Sequence, residues 1–292
     1  MGCVICNSTK KSFVLVANGY ALERCVGCGL VSTSAESAGK TGYYEEEYYT
    51  NSEKISERVY NRIISEIEIR KFKKLKSKGN ILDIGCGDGV FLSNLSGNAE
   101  WNLYGVEISK AGFEKAKARR RLKVFNNPLS ECGFSRGFFD VIVMRHVLEH
   151  ISSPQSMLAE IKMILKPGGV LVLRVPNFAS IEASLGGRDW LHMDLPRHLF
   201  HYTPETITML LEKNGFEVKK INHLLFEYRQ VIFYSISGWL AEKTGLKFLF
   251  SRRSALNKFF FAGLLPLTIF ASYLLALMKK SGTIEIYARK QA

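Results

Sequence analysis

The first residues lack an apolar segment of the kind that a secretory signal peptide needs, so we expect the chain to stay in a reducing cytoplasm. The start of the sequence, Met1-Gly2-Cys3, hints at acylation. However, position 6 holds a cysteine where N-myristoylation needs serine or threonine, which argues against that modification.

Acidic residues are scarce relative to basic ones, with 27 Asp and Glu against 40 Lys and Arg and a formal net charge of +13. This excess of cations either serves solubility or indicates a negatively charged partner, which is anionic lipid or nucleic acid. With 292 residues and 47% hydrophobic content, the chain can bury one sizeable core and still carry appendages.

The chain also lacks, in its glycine-rich turn, the Gly-x-Gly-x-x-Gly spacing typical of dinucleotide-binding proteins. Residues 80–91 instead place Gly85, Gly87 and Gly89 at alternate positions, after a short apolar run and before apolar residues with helical spacing. This order predicts a strand, a tight turn and a helix. Glycine is needed in such a turn because the backbone bends sharply and a ligand must approach it closely.

Acidic side chains accompany this turn. Asp83 precedes it and Asp88 lies inside it, so the turn would repel a pyrophosphate but suits a ligand that carries an ammonium and a sulfonium. A second apolar run, residues 103–106, ends on Glu107, and an acid at the tip of a second strand can accept both hydroxyls of a ribose. The pattern therefore predicts a nucleoside site for S-adenosylmethionine.

Three further motifs follow in order: an apolar run at 139–144, the sequence His-Val-Leu-Glu-His at 146–150, and a Pro-Gly-Gly turn within 165–169 before another apolar run. With these motifs the chain resembles the class I S-adenosylmethionine-dependent methyltransferases over residues 55–225 and again at 283–290. The resemblance implies an α/β, Rossmann-like fold with a seven-stranded mixed sheet whose seventh strand is antiparallel. It also implies cofactor contacts at Asp83, Gly85, Cys86, Gly87, Gly89, Glu107, Ile108, Asn126, Asn127, Met144 and Arg145. Many relatives have an acidic residue at the position of the two asparagines, and an asparagine carbonyl can accept the same hydrogen bond from adenine.

Four cysteines near the N-terminus form two Cys-x-x-Cys pairs, Cys3 with Cys6 and Cys25 with Cys28. Their spacing predicts a zinc ribbon in which Zn²⁺ is structural, because four protein ligands leave no open coordination position. Residues between the pairs predict a small hairpin that turns at Asn18. Two disulfides are the alternative, which a reducing compartment disfavours.

A long polar and aromatic segment, residues 176–203, follows the predicted fifth strand and should overhang the crevice at the carboxyl ends of the strands. We expect substrate contacts from three of its residues and from a tyrosine-rich segment, namely Trp190, Arg197, His201, Tyr43 and Tyr44. The alternative for the two tyrosines is that they only pack beside a solvated acidic turn.

Methyl transfer to oxygen or carbon can require a base, and the candidates are His146, His150 and His198. The resemblance places His146 opposite the methyl group, so His146 ranks first. Glu149 and His150 have the alternative of a structural role in the following helix.

Residues 259–278 carry no charge and are just long enough to span a bilayer. A span would separate the last predicted strand from its partner, and basic residues flank both ends, so we predict an interfacial anchor on anionic headgroups. A buried helical cap or a dimer contact is the alternative. The predicted organisation is a zinc ribbon with linker at 1–42, in which residues 31–42 are the linker, a methyltransferase domain at 43–225, an apolar insertion at 226–282 and the last strand at 283–292.

The leading functional hypothesis is a methyltransferase for a small-molecule, sugar or lipid-linked acceptor at the inner face of the cytoplasmic membrane. An RNA methyltransferase is the first alternative. The segment after residue 143 lacks the Asn/Asp-Pro-Pro-aromatic signature of base amine methylation, which argues against nucleic acid as a partner. The second alternative is a non-catalytic cofactor-binding module.

Overall fold

The computed structural model describes residues 2–34, 69–97 without 73 and 77, 100–223, 255–291, and seven positions from 233 to 245. Its strands form a seven-stranded sheet and a separate four-stranded sheet. Tyr43 and Tyr44, two of the predicted substrate residues, lie outside the described residues.

The seven-stranded sheet forms the centre of the fold. In chain order its strands are β4 (Gly79–Ile84), β5 (Trp101–Val106), β6 (Leu122–Phe125), β7 (Phe139–Arg145), β8 (Leu165–Pro176), β10 (Phe216–His223) and β11 (Thr283–Lys290). They lie in the spatial order β10-β11-β8-β7-β4-β5-β6, and β11 is antiparallel to both of its neighbours while the other pairs are parallel. The predicted seven-stranded mixed sheet with an antiparallel last strand is confirmed.

The α-helices of the described residues are α1 (Val90–Leu95), α2 (Lys110–Lys117), α3 (Pro154–Ile164), α4 (Ile181–Gly186), α5 (Pro204–Lys213) and α6 (Ala255–Leu277). The sheet contributes to two apolar clusters, one shared with α3 and α5 and the other with α1 and α2, as expected for parallel strands buried on both faces. Local sequence explains two of the helix starts. Pro154 stands in the first turn of α3, and Thr203 and Thr206 form a capping box at the start of α5.

The small sheet joins the ribbon to the distant 176–203 segment. The hairpin of β1 (Lys11–Ala17) and β2 (Tyr20–Cys25) is followed by β3 (Val31–Thr33), and β9 (Phe200–His201) pairs antiparallel with β3. The hairpin turn at Asn18, which has a φ of 50°, is confirmed. Residues 31–33, which we assigned to a linker, are instead a strand, and the 176–203 loop contains α4 and β9.

Further contacts hold the ribbon against the main domain. Gln155 of α3 donates a hydrogen bond to the carbonyl of Val4, and Lys213 of α5 donates to the carbonyl of Ile5 at 2.9 Å. Ile5 and Leu30 are buried in the same apolar cluster as the faces of α3 and α5. The ribbon is therefore part of the main core.

The strand β8 is longer than the sequence predicted. The Pro-Gly-Gly segment, expected as a turn before it, lies inside the strand at an irregularity in the pairing with β7. At the other end of β8, Arg174 donates to Glu285 of β11 at 2.5 Å, and both side chains are buried. Burial opposes ionisation of Glu285, but the charges of Arg174 and Lys71 lower the pKa of its carboxyl group.

The apolar helix α6 precedes β11 and contains Pro266. Leu267 (64% exposed), Phe270 (58%) and Leu277 (62%) face outward, whereas Thr268 and Ser272 are buried. Within the described part of the chain, no helix meets the length and hydropathy expected of a bilayer-crossing segment.

Candidate functional site

The glycine turn lies between β4 and α1, at the carboxyl edge of the parallel strands. Gly85, Gly87 and Gly89 have φ values of 71°, 57° and 74°, a region that residues with a Cβ rarely adopt. A Cβ on Gly85 would also lie 2.4 Å from the side chain of Val147. The turn predicted from the spacing of the glycines is present, and it leaves backbone exposed to a ligand.

Glu107 follows β5 and faces this turn. Its side chain is buried, Oε2 accepts a hydrogen bond from the backbone N–H of Gly87 at 2.8 Å, and Oε1 accepts one from Ser109 at 2.8 Å. Each carboxylate oxygen has a second lone pair. The two amides therefore fix the orientation of the carboxylate without using its full capacity to accept hydrogen bonds.

Two further carboxylates stand near the turn, but their surroundings differ. Asp83 is buried, and Arg145 donates to its Oδ2 at 3.2 Å while its guanidinium stacks over the ring of Phe91. Asp88 is paired with Arg119 at 2.9 Å, so its charge is already offset. Both acids that were predicted to repel a pyrophosphate are therefore paired with an arginine, and Asp83 is the buried one of the two.

The other predicted cofactor residues surround the same edge. Asn126 donates through Nδ2 to the backbone carbonyls of Glu107 at 2.7 Å and Ile108 at 3.1 Å. Its Oδ1 is therefore the atom suited to accept a hydrogen bond. The side chain of Ile108 is exposed, whereas that of Met144 is fully buried in the core.

Asn127 and Cys86 have more limited roles. Asn127 is exposed and its Nδ2 lies 3.4 Å from Glu131, beside the site's outer edge. Cys86 is buried, and burial, with Asp83 and Glu107 nearby, raises the pKa of its thiol far above the usual value. Cys86 is thus a small apolar neighbour of the turn.

Histidines gather beside the turn, where β7 ends. His146 has a φ of 53°, and its ring stacks on His192 with centroids 5.9 Å apart. Its Nδ1 lies 3.4 Å from Oε1 of the fully buried Glu149. Burial disfavours the charged form of Glu149, but the nearby His146, His198 and His150 lower the pKa of its carboxyl group.

The remaining histidines of this group come from the 176–203 segment and from the turn at Leu148–His150. The rings of His150 and His198 meet edge to face, with centroids 4.7 Å apart. Burial lowers the pKa of His198, opposed by the charge of Glu149, and burial lowers the pKa of His201 to about 3. His201 is therefore neutral at physiological pH.

Two of the predicted substrate residues lie in packed positions. Trp190 is buried in an apolar cluster with Leu22 and Val31 of the ribbon, and His201 lies 3.3 Å from the hydroxyl of Thr33. Both side chains therefore join the ribbon to the loop. We assign them a packing role because neither presents a surface to a ligand here.

Arg197 is exposed, but it is already paired. Its Nη2 donates to Asp194 at 2.7 Å. A substrate anion would have to share this guanidinium with Asp194.

The four cysteines of the ribbon converge as predicted. Their sulfur atoms lie within 4.8 Å of one another, and Cys3–Cys28 and Cys6–Cys25 are each separated by 3.4 Å. These distances exceed the roughly 2.05 Å of a disulfide and suit thiolates around one ion.

Glu149 and His192 were not among the predicted site residues, although both lie in the histidine group. The adjacency of Glu149 to His150 just after a strand end is a signal that could have identified the first. His192 contributes through its backbone carbonyl and ring stacking, which no sequence pattern reports.

Comparison with known proteins gives the same assignment for the central sheet. A family model described as "Methyltransferase domain" matches residues 55–221. A "Probable S-adenosylmethionine-dependent methyltransferase/" of Mycolicibacterium smegmatis is 27% identical over 61% of this chain and 63% of its own length. A "Ubiquinone biosynthesis O-methyltransferase" of Rickettsia canadensis is 23% identical over 52% of this chain and 68% of its own length.

Other similarities are to proteins whose names do not mention methyl transfer. A "Highly reducing polyketide synthase AFT9-1" of Alternaria alternata is 33% identical over 43% of this chain, which covers 5% of that protein. The solved structure of the "[4+2]-Cyclase SpnF" superposes with a TM-score of 0.52 at 18% identity, covering 80% of this chain and 81% of the cyclase. Since a cyclase shares the fold, the activity must be argued from the site.

Proposed function

The chain belongs to the methyltransferase-domain family, and we propose that it is an S-adenosylmethionine-dependent methyltransferase for a small-molecule, sugar or lipid-linked acceptor at the inner face of the cytoplasmic membrane. The observation that carries the cofactor assignment is the position of Glu107. Its carboxylate is held against the glycine turn by two backbone amides and keeps lone pairs for the hydroxyls of a ribose.

The rest of the turn supports the same cofactor. Asp83 supplies negative charge for an ammonium, and Asn126 offers Oδ1 to an adenine amino group. Ile108 provides an exposed apolar surface for the face of the base. When bound, S-adenosylmethionine supplies an activated methyl group on a sulfonium.

Isothermal titration calorimetry with S-adenosylmethionine and with NAD tests this assignment. We expect saturable binding of S-adenosylmethionine and no detectable binding of NAD. The reason is that the turn lacks the Gly-x-Gly-x-x-Gly spacing of dinucleotide sites and has Asp83 beside it. Binding of NAD without binding of S-adenosylmethionine would contradict the proposal.

The chain's own contribution to methyl transfer is to position the acceptor and to remove its proton. Orientation of two reactants supplies a large part of the acceleration in such displacements. His146 stands at the end of β7 beside Glu149, whose carboxylate stabilises the protonated imidazole. We assign His146 as the base, with His150 and His198 as the further candidates.

The acceptor class is inferred from α6 and its attachment. After α6, the backbone carbonyl of Lys280 accepts from Ile181, and that of Gly282 accepts from Asn177 at 2.8 Å. The apolar face of α6 thus ends next to the 176–203 segment, with Lys279 and Lys280 exposed beside it. A membrane bound by this face would present lipid-linked acceptors near the site. The name of the Rickettsia relative supports a small-molecule acceptor.

Flotation with liposomes that contain phosphatidylglycerol tests the membrane assignment. The double variant Leu267→Glu/Phe270→Glu places two charges on the exposed apolar face, so we expect it to remain unbound while the wild type floats. Phe13→Glu is the matched control, because Phe13 is an equally exposed apolar residue on the ribbon. Flotation of the double variant at the wild-type level would contradict the assignment.

We also propose that Cys3, Cys6, Cys25 and Cys28 hold a structural Zn²⁺. Their convergence in the described ribbon supports four thiolate ligands, and a closed site has no position for a substrate. The ion would stabilise the ribbon, and through β3 and β9 it would hold the histidine-bearing segment in place.

A further inference from the structure

A second group of possible metal ligands lies apart from the cysteines. It consists of Glu149 and His150, in the turn after β7, and His198, in the segment before β9. One ligand atom from each residue lies within 4.8 Å of the others. Around a tetrahedral ion with bonds of about 2.1 Å, ligand atoms are roughly 3.4 Å apart, so small side-chain rotations bring these three onto one ion.

The two imidazoles are oriented as metal-bound histidines are. Nδ1 of His198 lies 2.8 Å from the backbone carbonyl of His192, and Nδ1 of His150 lies 3.0 Å from that of Arg197. Because a carbonyl oxygen only accepts, each Nδ1 carries a proton, and the atom of each imidazole that can bind an ion is Nε2. Hydrogen bonds of this kind fix the tautomer and the ring orientation of histidine ligands.

The carboxylate provides the independent observation. Glu149 is fully buried, and within the described residues neither of its oxygens makes a hydrogen bond. Its nearest cationic group is Nδ1 of His146, 3.4 Å from Oε1. A buried carboxylate without hydrogen bonds is costly, and a bound cation would offset that cost.

The main chain holds the three residues together. The backbone N–H of Leu199 donates to the carbonyl of Glu149 at 2.8 Å, which ties the loop that carries His198 to the turn that carries the other two. The hydroxyl of Thr33 donates to the carbonyl of His198 at 2.7 Å from the ribbon side. Hydrogen bonds to the main chain therefore hold the segments that carry the candidate ligands in place.

We propose that Glu149, His150 and His198 bind one divalent first-row transition-metal ion. One oxygen and two imidazole nitrogens are a ligand set that such ions accept, and three protein ligands leave open positions for a hydroxyl oxygen of the acceptor. This use of the ion rests on the proposed methyl transfer, whereas the binding of the ion does not. The experiment must distinguish a bound ion from a cluster of histidines around an acid that binds no ion.

The test counts Co²⁺ bound to the full-length chain after chelation of resident metals. We expect a first equivalent with the intense near-ultraviolet absorption of a thiolate site, and a second equivalent with weak visible bands only. Elemental analysis by plasma mass spectrometry gives the stoichiometry. A single equivalent of thiolate character in the wild type would overturn the proposal.

Variants locate the second ion. Glu149→Gln, His198→Ala and His150→Ala should each lose the second equivalent, or bind it at least tenfold more weakly, and keep the thiolate spectrum. His223→Ala is the matched control because His223 is the one histidine of the sequence that does not belong to the histidine cluster at the end of β7, and this variant should keep both equivalents. His150 is only partly buried. If the substitutions of the buried Glu149 and His198 impair folding, His150→Ala therefore still tests whether the second ion binds here. Retention of the second ion by His150→Ala would overturn the assignment.

Titration of the same samples with S-adenosylmethionine separates the two proposals. Loss of the second ion with cofactor binding intact would overturn the metal site alone. Two bound ions without cofactor binding would contradict the proposed function and leave the metal site standing.

Discussion

At the scale of single residues, the glycine turn shows two separate constraints that act on Gly85. Gly85 combines a positive φ with a neighbour, Val147, that occupies the space of a Cβ. Gly168 on β8 has a similar φ of 67°, but a Cβ there would meet nothing within 4 Å. The two positions therefore separate backbone strain from steric conflict.

Gly85→Ala should cost more than the roughly 1 kcal/mol that a positive φ imposes, because its Cβ would also displace Val147 and with it His146. We expect a lowered melting temperature and at least a tenfold loss of S-adenosylmethionine affinity, measured by calorimetry. Gly168→Ala is the control and should show only the backbone cost. Equal effects of the two substitutions would argue against a tight turn at Gly85.

Single residues also show where sequence reasoning succeeds. Gly85, Gly87 and Glu107 were predictable because a strand, its turn and the next strand tip are close in the chain. Trp190 and His201 were not, since their surroundings depend on a ribbon far away in sequence. Thr33 and His198, for example, are 165 positions apart. Long-range docking of this kind leaves no local pattern.

At the scale of elements, the pairing of β3 with β9 connects the cysteine ribbon to the histidine group. Val31 pairs with His201 and Ser32 with Phe200. Sequence analysis placed these segments in a linker and in a loop, because strands of two or three residues are too short to show alternation. The ribbon is therefore connected through the β3–β9 pairing to the segment that carries part of the histidine group.

Thr33→Val removes the hydrogen bond to the carbonyl of His198 while it preserves side-chain volume. The carbonyl would then be buried without that donor, so we expect a loss of about 1–3 kcal/mol in stability. Hydrogen–deuterium exchange should increase in peptides that cover 198–202 and stay unchanged in β4.

The control for this substitution is Ser12→Ala, which removes an exposed hydroxyl on β1 of the same sheet. It should leave exchange in 198–202 at the wild-type level. If both variants behave alike, the link between ribbon and loop contributes nothing to the order of the histidine group.

At the scale of the whole molecule, one sheet brings together parts that lie far apart in the chain. The last strand β11 returns after α6 and inserts between β8 and β10, so both ends of the 224–282 stretch lie at the sheet. The resemblance to a known family made this arrangement predictable, because its motifs recur in order. The outward-facing apolar surface of α6 could be anticipated from composition, but its orientation required the structure.

The arrangement of the whole molecule also places the candidate functional residues at one edge of the sheet. The carboxyl edge of the parallel strands carries the glycine turn, Glu107 and the histidine group, and the ribbon and the end of α6 both reach that edge. Cofactor, acceptor and proposed membrane surface can therefore converge on one place. The claim on which this convergence depends is that Glu107 binds the cofactor's ribose.

The most direct test of that claim is the S-adenosylmethionine affinity of Glu107→Gln, measured by calorimetry beside Glu114→Gln. Glutamine keeps the volume of Glu107 but replaces one acceptor oxygen by a donor, so we expect at least a tenfold weaker affinity, about 1.4 kcal/mol. Glu114 is an exposed acid on the neighbouring α2, and its variant should bind like the wild type. Wild-type affinity in Glu107→Gln would contradict the account.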